Sequence, residues 1–149
     1  MKKFVGILVF CFAINNYVVA DDFDFKDPKG VNSVSIKMDS PLEPISGIAS
    51  GISGTVDFDG KDGKSLKGSL TLTVDSFRMP SDDMAKYLKG EMWLDAVKFP
   101  GIKVTVKEIV ESTSTVDNEF NIKAKVIVEI KGISKELTIT ISRVISILS

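Results

Sequence analysis

The stretch LKGSLTLTVDSFRMPSDDMAKYLKGEMWLDAVKFPGIKVTV, residues 66–106, carries two periodicities and a sharp corner in one unit. Leu66, Gly68, Leu70, Leu72 and Val74 alternate with Lys67, Ser69, Thr71, Thr73 and Asp75, the pattern of a strand with one buried and one wet face. Then the period changes. Ser81 followed by Asp82 and Asp83 starts a helix, because the hydroxyl accepts from unpaired N–H groups and the carboxylates sit at the positive end of the macrodipole. Met84, Tyr87 and Leu88, with Met92 at the far end, recur at three- and four-residue steps and give that helix one apolar stripe. Pro100-Gly101 ends the connection, and Ile102, Val104 and Val106 resume alternation against Lys103, Thr105 and Lys107. A strand, a short helical lid and a return strand predict an antiparallel barrel or sandwich with one end covered.

Outward from this unit the strands continue. Val34, Ile36 and Met38 alternate with polar neighbours and predict a first strand. In residues 40–54, Pro41 and Pro44 bar a long ladder and the glycines permit bends, so the second strand is expected over residues 49–58, with Ile52, Gly54, Val56 and Phe58 inward. After residue 109, ESTSTVDN (111–118) reads as a polar loop. Phe120, Ile122, Ala124, Val126, Val128 and Ile130 then mark the clearest strand, Gly132 turns it, and Leu137, Ile139 and Ile141 mark its partner. Residues 21–30 are acidic and interrupted by Pro28, a lead-in with Phe23 or Phe25 against the body. Six strands, with room for a seventh, and no second helix make the chain all-β with one short helix.

Residues 1–20 have the form of a secretory leader: Lys2 and Lys3, an apolar run over 4–14, then Val18-Val19-Ala20. The run is too short to span a bilayer, which needs about 20 apolar residues. Cys11, the only cysteine, lies inside it behind Phe10 rather than a small residue, so cleavage after Ala20 is expected rather than lipidation. The remaining chain, residues 21–149, is one domain without cysteine. Removing the leader leaves 17 of the 19 basic side chains against all 20 acidic ones. With no basic field, nucleic acid is not an expected partner.

The chain has no histidine, which removes the usual general base and the commonest transition-metal ligand. No serine sits in a G-x-S-x-G elbow. Asp82 and Asp83 diverge by about 100° on a helix and suit its start better than an acid–base pair. DFDGKDG (57–63) clusters Asp57, Asp59 and Asp62, but Lys61 and Asp62 stand where a calcium loop wants a ligand and a glycine, so a hairpin turn is the reading. Catalysis and a resident metal are not expected.

The strand ending VDSF (74–77), the acidic helix start, KYLKG (86–90), WLDAVKFPGI (93–102) and KGISKELTI (131–139) together resemble the YceI-like polyisoprenoid-binding family. That resemblance spans roughly residues 24–141. It implies a periplasmic, antiparallel lipocalin-like β-barrel that encloses an apolar lipid of isoprenoid type, binds or carries it without catalysis or other cofactor, and makes transient contact with a membrane. The side chains it implies as lining are Leu70, Leu72, Val74, Phe77, Met84, Leu88, Met92, Trp93, Phe99, Ile102, Val104, Val126 and Val128. Taken alone, the large apolar residues near the helix would plug the core, leaving a structural or protein-interaction module without ligand as the alternative. Burying about 300 to 500 Å² of lipid at about 25 cal/mol per Å² contributes roughly 8 to 12 kcal/mol. Association costs at least about 4 kcal/mol of this, so micromolar binding or tighter is expected.

Members of that family continue past the strand after the Gly-Ile-Ser-Lys turn with closing strands. Here residues 141–149 follow, and unbroken alternation from Ile139 and Ile141 would turn Arg143 inward unless a bulge resets it. Either the resemblance ends near Ile141 or the barrel is incomplete at its C-terminal end, which leads to the expectation of homo-association through that edge.

Overall fold

The computed structural model describes residues 21–25, 28–29, 31–39, 44–58, 63–116 and 119–145; the predicted leader, Asp59 and Asp62 lie outside them. Alternation over residues 34–38 produces β2 (Val34–Met38), preceded by β1 (Asp21–Asp24), so the expected lead-in begins as a strand. The expected second strand is β4 (Ile52–Phe58), and an unexpected strand, β3 (Ile45–Ala49), precedes it; the two are separated at Ser50-Gly51, where the chain changes sheet. Pro44 bars no strand because it stands just before one, where its missing N–H interrupts no ladder.

β5 (Lys67–Thr73) leads through a 3-10 turn (Val74–Ser76) to the short β6 (Phe77–Arg78) and then to α1 (Asp82–Lys89). Ser81 caps the helix as its sequence predicts, accepting from the Met84 N–H at 3.2 Å. Turns over 90–98 return the chain to β7 (Gly101–Val116), followed by β8 (Glu119–Ile130) and β9 (Ile133–Ile145). Every pairing is antiparallel: β1-β4-β5-β7-β8-β9 form one sheet and β2-β3-β6 a second.

The polar loop expected over 111–118 is strand for most of its length. β7 carries register shifts after Val106, after Ile109 and after Ser114, each adding a residue against β8. Val106, Ile109 and Ser112 face Val126, Ala124 and Ile122, so the inward positions fall three apart rather than two. Strict alternation therefore ends where the bulges begin, and the period is lost although the ladder continues. β9 has the same device near its end. Ile141 pairs with Ile122 and Val144 with Phe120, so one extra residue puts Val144, not Arg143, at the position across from Phe120.

Between β8 and β9 the turn is two residues, Lys131 and Gly132, with φ of 51° and 74°, flanked by the Ile130–Ile133 pair. This is the mirror-image turn whose twist suits a hairpin. The architecture is all-β with one helix and lipocalin-like. β1 and β9 are the outer strands of the larger sheet and do not pair with each other, so the barrel is open along that side among the described residues.

Candidate functional site

The inner face of the large sheet divides into two apolar regions. Toward the β8 side, Phe58, Leu66, Phe120, Ile122, Ala124 and Val126 are buried together, with Phe58 and Phe120 edge to face at a centroid distance of 5.8 Å. At the other end Ala49, Val74, Phe77 and Leu88 form a second buried cluster, brought together by the small sheet, the 3-10 turn and α1. Leu72 and Ile102 pack against this second cluster. Two residues along the same face of the same strands, Leu70 and Val104 stand instead on an open trough.

The trough has a volume of about 450 Å³, within the range of about 300 to 1,000 Å³ of sites for small ligands. Its walls come from every strand of the large sheet or its immediate continuation: Phe25 after β1, Val56 and Phe58 on β4, Leu70 on β5, Val104 and Val106 on β7, Val126 on β8, Ile139 and Ile141 on β9. Phe25 and Ile141 belong to opposite edges, so the sheet curls far enough for both to face one space. Phe25 is held there by its N–H donating to the Gly54 carbonyl at 2.9 Å.

Two glycines set the curl. Gly54 and Gly68 face neighbouring strands with φ of +125° and +133°, a region that side chains rarely adopt. A Cβ at Gly68 would also meet the Thr55 carbonyl oxygen and lie 2.8 Å from Val56 Cα. Gly68 breaks the pleat, and Ser69, which alternation would turn outward, reaches the wall beside it. Among the described residues Ser69 carries the only polar side chain in that wall, so apolar contact is the extensive chemistry they offer there.

Of the residues singled out from sequence, Leu70, Val104 and Val126 meet on the trough, and Val128 packs on the core beside it. Leu72, Val74, Phe77, Leu88 and Ile102 meet in the second cluster and cap the trough's end. Met84, Leu88 and Trp93 line a separate cavity of about 220 Å³ under the helix. Trp93 is 55% exposed and is not a trough residue, and Met92, beyond the helix end, is 91% exposed. The stripe does not extend to Met92 because Gly90 ends the helix, its N–H donating to the Tyr87 carbonyl at 3.0 Å. Phe99 lies against the β8–β9 turn at Gly132, with Lys98 Nζ 5.4 Å from its ring centre.

Sequence reading missed Phe25, Val56, Phe58, Leu66, Val106, Ile139 and Ile141 as wall residues. Phe25 follows a strand too short to show a period, and the other six carried an inward parity that was legible but was not extended to the trough. Among the described residues no three carboxylates, thiols or imidazoles gather as a metal site. The outer face carries cross-strand ion pairs between Lys107 and Glu136 and between Lys125 and Glu108, the latter at 2.8 Å. The hydrogen bond from Lys107 holds the Glu136 carboxyl below its ordinary range, and that to Glu108 raises the Lys125 ammonium above its own.

The model of the YceI-like domain matches residues 23–146. The chain belongs to the YceI-like family. Solved structures similar to this YceI-like protein include the Campylobacter jejuni YceI protein, 21% identical with a TM-score of 0.56, the match covering 78% of this chain and 66% of that one. Burkholderia cenocepacia BcnA is 22% identical with a TM-score of 0.55, over 74% of this chain and 65% of that one. The chain thus spans just under two thirds of the length of both, and at such identity the likeness is one of fold. No curated protein sequence matches it.

Proposed function

We propose that the trough binds an apolar, chain-like lipid of isoprenoid type, and that the protein stores or carries it without catalysis after export to the periplasm and removal of residues 1–20. The observation that carries this reading is the open volume of about 450 Å³, bounded by side chains from five strands of the large sheet and by Phe25, with Ser69 the only polar one among the described residues. Leu70, Val104 and Val126 contact the lipid together with Phe25, Val56, Val106, Ile139 and Ile141, while the cluster around Val74 and Phe77 stops its end. With no histidine in the chain and a wall apolar but for Ser69, the described residues give the site the means to bind but no acid–base pair to attack or protonate a ligand. Membership of the YceI-like family, whose resemblance implies polyisoprenoid binding, supports the same reading.

Protein purified without detergent is expected to release a long-chain lipid into organic solvent and, once stripped, to take up a fluorescent polyene. Native mass spectrometry giving only the polypeptide mass, with no uptake of the polyene, would overturn the reading in favour of an interaction module. β9 pairs only with β8 among the described residues, and its outer edge is the expected line of contact between two copies. Sedimentation that gives a monomer at every concentration tested would remove that part of the proposal and leave the trough untouched.

A further inference from the structure

Beyond residue 20 the chain has four methionines, Met38, Met79, Met84 and Met92, and three of them stand on one cavity. Met38 ends β2, Met79 follows β6, and Met84 lies in the first turn of α1; Tyr87, Leu88 and Trp93 lie around the same volume of about 220 Å³. The fold accounts for the meeting. Met38 is across from Ile45 in the small sheet, and Gly47, two residues on and so on the same face, has no side chain there. The Met79 thioether lies over that gap, where a Cβ on Gly47 would run into its sulfur. Ser81 fixes the first helical turn above, and with it Met84, which is partly exposed and leaves the cavity open to solvent on that side.

Methionine is often a gap-filler, but here the gap is not filled. Thioether sulfur is a neutral, soft donor that selects Cu(I) over hard or borderline divalent ions. No histidine exists in the chain, and the one cysteine is in the predicted leader, so neither an imidazole nor a thiolate competes for a metal here. Trp93 adds an aromatic face of the kind that attracts a cation, and Asp82 and Asp83 in the same first turn offset the positive end of the helix.

We propose that Met38, Met79 and Met84 form a three-thioether site for a soft monovalent cation of Cu(I) type, with Trp93 beside it, separate from the lipid trough. Ag(I), which has the same donor preference and resists oxidation, is the probe, and the full chain is labelled with ¹³C at the methionine methyls. Titration is expected to shift the methyls of Met38, Met79 and Met84, leave that of Met92 unmoved, and quench Trp93 emission, while Zn(II) does none of these. The Met79→Leu/Met84→Leu variant keeps side-chain volume and fold, and is expected to bind Ag(I) at least about ten-fold more weakly, whereas Met92→Leu binds as the parent does. Polyene uptake in the trough is expected to be unchanged in both variants, so the two proposals fail separately. Unmoved methyls, a Met92 shift equal to the others, an equal response to Zn(II), or undiminished affinity in the double variant would each overturn the site.

Discussion

Leu70 and Leu72 lie on one face of one strand, two residues apart, and meet opposite fates: the first borders open volume and the second is packed beneath the cap. The same holds for Val104 and Ile102 on the neighbouring strand. The difference is in what arrives from elsewhere in the chain. The small sheet, the 3-10 turn and α1 all reach the end bearing Leu72, where Val74 donates to the Pro100 carbonyl at 2.9 Å and Thr73 to that of Gly51 at 2.8 Å. Over Leu70, among the described residues, the only cover is the sheet's own curl. A protein can therefore take its stability from one end of a continuous apolar face and its binding volume from the other.

The largest expected effect tests the packed end. Phe77→Ala is expected to cost about 3 to 5 kcal/mol in urea unfolding, because Phe77 is fully buried in a cluster held from three sides. A loss below about 1 kcal/mol would mean that the cap is not where the fold is stabilised. A paired overpacking experiment comes next. Ala49→Leu enlarges a side chain that is 1% exposed and is expected to cost about 1 to 3 kcal/mol, while Val106→Phe extends into open volume, shifts stability by less than about 1 kcal/mol and abolishes polyene uptake. Equal destabilisation by both would erase the distinction between the two ends.

Trp93→Ala sharpens the comparison at the helix. Because Trp93 stands more than half exposed beside its own cavity, truncation is expected to cost less than about 1 kcal/mol and to leave polyene uptake near the parent's. A loss of uptake would connect that cavity to the trough. The smallest effect belongs to the outer face. Glu136 has a lowered carboxyl pKa in the folded chain, so its contribution is complete above the ordinary value of 4.5 and lost as pH falls through the folded value. For Lys125, whose pKa is raised, the contribution is complete below 10.5 and lost as pH rises through the folded value. Both groups are solvated, so Glu136→Gln is expected to shift the neutral-pH midpoint barely, and not at all in molar salt. A shift that survives salt would make the pair structural.

What residues 66–106 determined by themselves was local: a strand with one apolar face, a serine-capped helix of two turns, and a return strand. Those outcomes depend on side-chain period and on a cap three residues from its partner, both written contiguously. The β8–β9 hairpin was legible for the same reason, with a run of alternation on each side of a Lys-Gly turn. Tertiary structure decided the rest. Bulges in β7 hid a strand inside what reads as a polar loop, since an added residue destroys the period without ending the ladder. The chain's change of sheet at Ser50-Gly51 put a short, unexpected strand, β3, ahead of the expected one. The division of a single apolar face into cap and trough depends on which distant elements arrive opposite each residue, and alternation records only that a side chain points inward, not whether anything meets it there.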